Sequence, residues 1–102
     1  MKIIRCLSEK IQEELADAEV YIDLATAWKD DDEETAELFY ELSGEELGHA
    51  DKLHEQVKAE INEYKRTEGE PPEGMMELYD WMHKKNTTDA MRIKVKRAMF
   101  KG

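Results

Sequence analysis

Proline appears only twice in the 102 residues and glycine five times, and there are no hairpin turn pairs or β-branched runs. Those gaps speak against a sheet protein, which needs frequent turn chemistry between short strands. Cysteine is also scarce. Cys6 stands alone, so an internal disulfide is excluded and a reducing, cytoplasmic location is the expectation. No run reaches the roughly 20 apolar residues that a membrane span requires, and the opening Met-Lys-Ile-Ile-Arg-Cys-Leu is too short and interrupted for a secretory signal. What remains is a chain 39% charged and 40% hydrophobic, the composition of amphipathic helices around one modest core.

The net charge of -10 argues against nucleic acid as a partner, because phosphate would be repelled, and makes cations the natural counterpart. The charge is uneven. Residues 1–83 carry 8 basic and 24 acidic side chains, whereas residues 84–102 carry 7 basic and 1 acidic. A basic tail therefore follows an acidic body, either as a solvated face laid against acidic neighbours or as a docking segment for a partner.

Helical periodicity predicts a first helix from about Ser8, read as its N-cap, to Lys29. Ile11, Leu15, Ala18, Ile22 and Ala25 share one face, bordered by Tyr21 and Trp28. Glu14 is the one acid of this helix on the inward side. The acidic block Asp30-Asp31-Asp32-Glu33-Glu34 suits a turn and the positive end of a second helix. That helix is expected from Glu34 to Tyr64 or Arg66. Leu42, Ala50, Leu53, Val57, Ile61 and Tyr64 fall within roughly 60° of Phe39 at 100° per residue, with Glu46 among them. Gly44 and Gly48 cost helix propensity; either close approach of a neighbouring helix offsets this or they face solvent opposite the core.

The segment 67–74, rich in Gly, Pro and charge, reads as a linker. It divides a hairpin segment, 1–66, from a C-terminal segment, 75–102. There the sequence predicts a short helix from Met75 to Lys85, with Met76, Leu78, Tyr79 and Met82 packing. Asn86-Thr87-Thr88-Asp89 would cap a last helix to Lys101, with Met91, Val95, Ala98 and Met99 inward and Arg92, Lys94, Lys96, Arg97 and Lys101 outward.

A carboxylate on a packing face is costly unless a proton, a cation or a metal neutralises it. Glu46 meets His49 at i,i+3, and Glu-x-x-His projecting inward from a bundle helix is how dinuclear carboxylate proteins present ligands. A full dinuclear site takes two lone Glu and two Glu-x-x-His. Glu14, Glu46 and His49 make half of it, and a two-fold axis would supply the rest. Four carboxylates and two divalent ions would then balance in charge. Oxygen and nitrogen ligands suit Fe, Mn and Zn alike. Asp80-x-x-His83 offers a second, weaker candidate pair, while His54 reads as a partly buried hydrogen-bonded residue.

Over residues 8–65 the chain resembles the ferritin-like superfamily, especially rubrerythrin-type chains and the two-helix ferritins carried inside encapsulin shells. Glu14 precedes Tyr21 by seven residues, as the ligand Glu precedes a Tyr in their first helices. Phe39 stands seven before Glu46, which is followed by His49-Ala50, similar to their second helix. A second full-length ligand pair and a rubredoxin-like Cys-x-x-Cys module are missing, and the segment after Pro72 matches no pattern. The resemblance implies an all-α fold, a long antiparallel hairpin plus short C-terminal helices, with a four-helix bundle completed by dimerisation. It implies two Fe per dimer held by Glu14, Glu46 and His49, with Fe(II) oxidised by oxygen or peroxide. Glu46 would bridge, Glu14 would be terminal, and Tyr21 would either support a ligand or simply pack. Storage of iron would need a cage or an encapsulating shell protein as partner. The alternative is a metal-free helical module that binds a protein through its long helix and basic tail.

Overall fold

The computed structural model describes residues 2–102; Met1, the first residue of the expected hairpin segment, lies outside them. Three helices account for the fold: α1 (Lys2–Trp28), α2 (Glu33–Glu68) and α3 (Glu73–Lys101), with no strand among the described residues. They form a rod of 55 × 19 × 17 Å. No helix is long and apolar enough to cross a membrane.

The α1 face expected from periodicity is the one that packs. Ile11, Leu15, Ala18, Ile22 and Ala25 are buried against Ala36, Ala50, Val57 and Ile61 of α2. Ser8, however, is not an N-cap. The helix starts six residues earlier at Lys2, because Ile4 continues the apolar stripe and is itself buried, leaving Ser8 inside the helix and in the core. Near the middle of the hairpin, fully buried Ser43 donates its hydroxyl to the Ala18 carbonyl at 2.9 Å. A small polar residue there lets the two backbones approach while its hydroxyl stays satisfied.

The acidic block behaves as its composition suggests. Asp32 caps α2, accepting from the Thr35 amide at 3.1 Å and the Thr35 hydroxyl at 2.9 Å, and Glu33 and Glu34 fill the first turn. At the far end Gly69, at φ 86°, closes α2 with its amide on the Lys65 carbonyl. This left-handed conformation is open to glycine at little cost. Pro72, at φ -55°, leads into α3. The expected linker is therefore shorter than 67–74, with only Gly69 to Pro72 outside helices.

The largest departure is in α3. Residues 75–101 are not two short helices but part of one helix of 29 residues. Asn86 is buried rather than a cap, and the Thr88 hydroxyl turns back to the Lys84 carbonyl at 3.0 Å. Thr and Asn satisfied or buried inside a helix do not end it. The continuous register turns Tyr79, Met82, His83, Asn86, Ile93 and Phe100 toward the hairpin. Leu78, Met91, Val95, Ala98 and Met99, expected inside, are exposed instead.

The basic tail lies on the acidic hairpin. Arg92 and Lys96 pair with Glu19, Lys96 also with Asp23, and Lys101 with Glu37. Arg97 donates to the Tyr40 carbonyl at 2.6 Å, and its guanidinium lies over the Tyr40 ring at 3.9 Å. A Cβ on Gly44 would meet that guanidinium at 2.8 Å, so the close neighbour of this glycine is a side chain of α3. Gly48 has nothing within 4 Å.

Candidate metal centre

Glu14 on α1 and Glu46 and His49 on α2 converge at mid-hairpin. Glu14 is one turn before Ala18, and Glu46 and His49 lie within two turns after Ser43, so the Ser43–Ala18 hydrogen bond fixes the helix separation next to the cluster. One ligand atom from each of the three lies within 4.8 Å of the others, the only such group of three among the described residues. His49 Nδ1 stands 3.4 Å from Glu14 Oε2 and 3.8 Å from Glu46 Oε2.

The two carboxyl groups are too close to ionise independently. A hydrogen bond that the protonated Glu46 carboxyl donates to Glu14, helped by partial burial and by the Glu14 charge, pushes Glu46 up to about 7, against a lowering by His49. The neutral form of Glu46 is thus favoured where a cation would serve instead. Their side chains are 19% and 26% exposed and His49 is 54% exposed. The cluster is a shelf open on one side.

That open side faces away from α3. Around α1, Glu14 and the α3-paired Glu19 are roughly 140° apart, and around α2 Glu46 and Tyr40 are roughly 120° apart. The periodicity placed Glu46 near the centre of its stripe, but the buried ridge runs through Ala36, Ser43, Ala50 and Val57. Glu46 sits on the open flank of that ridge. Half-buried Phe39, Leu42, Leu53 and Tyr64 share the flank with it. Two turns along, Tyr21 stacks on Phe39 at 6.1 Å and 21°.

Compared with known proteins, the chain matches no family model, no curated protein and no solved structure. The site is therefore read from its own atoms. Two carboxylates and one imidazole converging on a point fit a hard or borderline divalent ion such as Fe, Mn or Zn. The raised pKa of Glu46 fits as well, since it marks a place where negative charge lacks a compensating cation.

Asp80 and His83 do not join this cluster. His83 stacks between His54 and Tyr79, at 4.9 and 5.5 Å, on the α3 side of the hairpin, and Asp80 is exposed. Burial, then the nearby His83, lowers the pKa of His54. This three-ring stack was invisible in the sequence, because its register depends on α3 being continuous. It lies along an apolar cavity of about 180 Å³ floored by Ile11, Leu15, Leu47 and Ala50.

Proposed function

We propose that this chain is a ferritin-like dinuclear metal protein, a ferroxidase whose site is shared between two copies of the hairpin. The convergence of Glu14, Glu46 and His49 on one open flank carries the reading. A two-fold axis against that flank would present each ligand twice, giving the four carboxylates and two imidazoles of a dinuclear site in a completed four-helix bundle. Leu42, Leu53 and Phe39 around the cluster supply apolar surface for such a pairing.

In this reading Glu46 gives up its proton on binding and, with Glu14, holds ferrous iron as substrate, while His49 contributes nitrogen. Two ferrous ions, each losing one electron, supply what one peroxide and two protons need to become two waters. The flanking apolar residues restrict water around the carboxylates, which strengthens their hold on cations.

Elemental analysis with native mass spectrometry tests the proposal. Protein incubated with ferrous salt should carry one metal per 12.0 kDa chain in an even-numbered assembly. Glu46→Ala and His49→Ala should each abolish metal loading. Metal-free wild-type protein whose melting curve ignores both chelator and ferrous ion would defeat this reading and favour a metal-free interaction module.

A further inference from the structure

We propose that acid releases the amino-terminal half of α3, residues 73–90, from the hairpin by charging both imidazoles of the His54–His83 stack. That stack is on the α3 side of the hairpin, away from the open flank of Glu14, Glu46 and His49, so the inference stands without the metal reading.

The two halves of α3 are fastened differently. In the carboxy-terminal half, Arg92 and Lys96 pair with Glu19, Lys96 with Asp23 and Lys101 with Glu37. Among the described residues no ion pair joins 73–90 to the hairpin. Lys85 and Asp89 bond each other, and Asp89 bonds Arg92, all within α3. This half is held by buried Met82 and Asn86 and by a column of rings. His83 lies between Tyr79, at 5.5 Å and 16°, and His54 of α2, at 4.9 Å and 14°. The start of the helix adds little, since Pro72 makes no side-chain cap bond. A few helical turns that lose their tertiary contacts are marginal in water, so release of this half would also fray it.

Neutral imidazoles stack face to face, whereas two imidazolium ions at this separation in a half-buried site repel each other. Neither ring has a carboxylate in ion-pair reach among the described residues; the only histidine ion pairs there are those of His49. On α2, Glu55 and Asp51 favour the charged form of His54, but burial, His83 and Lys58 oppose it and prevail, so its pKa is lowered. On α3, burial and Asp80 raise the pKa of Tyr79, which therefore supplies no anion, while exposed Lys84 adjoins His83 and Lys94 lines the same cavity. From α1 the cavity receives only Ile11 and Leu15, which are uncharged.

A histidine whose pKa falls on folding gives stability that is full above its unfolded value near 6.5 and is lost as pH drops from there to the folded value. The grip at the other end of α3 survives that window, because Glu19 is lowered to about 2 and Arg92 keeps its charge. Acid would thus free one half of the helix while the other stays anchored. Release would uncover Ile11, Leu15, Leu47 and Ala50, the floor of the apolar cavity.

Hydrogen exchange of the full-length protein, read by mass spectrometry at pH 7.5 and 5.0 and corrected for the intrinsic pH dependence of exchange, follows the two halves separately. Protection over 73–90 should fall by about fivefold or more at pH 5.0, while protection over 91–101 holds within about twofold. His83→Phe keeps a flat ring in the column but cannot take a proton, and it should abolish the fall. His54→Phe should do the same, so either folded variant decides the matter. Glu46→Gln should retain the fall, which separates this response from titration of the metal cluster. Equal protection over 73–90 at the two pH values, or a fall that persists in a folded Phe variant, would overturn the proposal. A fall of the same size in both halves would overturn it as well, because it would report unfolding of the whole chain.

Discussion

Arg92 reaches back 73 residues to grip Glu19 with both arms of its guanidinium, Nε to Oε2 at 2.7 Å and Nη2 to Oε1 at 2.9 Å. This paired geometry is the main fastening between the C-terminal half of α3 and the hairpin. The Arg92 hydrogen bonds, with help from Lys96, lower the Glu19 carboxyl to about 2.

A carboxyl lowered in the folded state stabilises above its unfolded pKa near 4.5 and loses that contribution as pH falls through about 2. Glu19→Gln should therefore cost about 1 kcal/mol at pH 7, a value discounted for partial exposure. Urea titrations of wild type and variant should converge between pH 4.5 and 2. A difference that persisted at pH 2 would place the effect in packing instead.

Glu46 has the opposite sign. Its pKa is raised to about 7, so in metal-free protein the folded state gains from the neutral carboxyl below pH 4.5 and loses that gain as pH rises through 7. Chelated protein should be less stable at pH 8.5 than at pH 5 by about 1 to 2 kcal/mol, allowing for solvent access. Glu46→Gln should flatten the profile. Ferrous or manganous ion should reverse the slope for wild type, because cation binding favours the ionised pair.

Ser43 links the core to the cluster. Ser43→Ala loses the bond to the Ala18 carbonyl and should cost about 1 kcal/mol in a denaturant titration. Ser43→Leu overfills a site with no exposure and forces the helices apart. That variant should weaken metal loading more than tenfold while keeping helical circular dichroism, since Glu14 would be drawn from Glu46 and His49.

Asn86 is buried at the α3 interface with its Oδ1 lacking any hydrogen-bond partner. Asn86→Leu, close in volume and apolar, should stabilise the protein by about 1 kcal/mol, read as a higher thermal midpoint. A fall in the midpoint would mean that the amide has a role which the apolar side chain cannot fill.

Periodicity alone located the hairpin because both of its helices bury a regular apolar stripe, and a stripe announces which acid lies beside it. Glu14 and Glu46 were legible for that reason, and His49 followed from one helical turn. The raised pKa of Glu46 was not, since it depends on a separation set by Ser43 and Ala18, 25 residues apart. The C-terminal segment misled for a physical reason as well. Asn86-Thr87-Thr88-Asp89 has the chemistry of a cap, but a helix ends only where its backbone groups find other partners. Here Thr88 bonds within the turn and Asp89 bonds Lys85 and Arg92 on either side, so the helix runs through. With two apolar stripes on α3, composition also could not say which faced inward. Tyr79, Ile93 and Phe100 do so because the ion pairs of Arg92 and Lys96 with α1 fix the rotation.

The slender outline of the molecule has a practical corollary. A radius of gyration of 16.4 Å exceeds the about 13 Å expected of a rounded chain this long, so a monomer will tumble and migrate like something heavier. Gel filtration against spherical standards would overstate its mass, and subunit stoichiometry should be weighed by scattering or ionisation instead of inferred from elution volume.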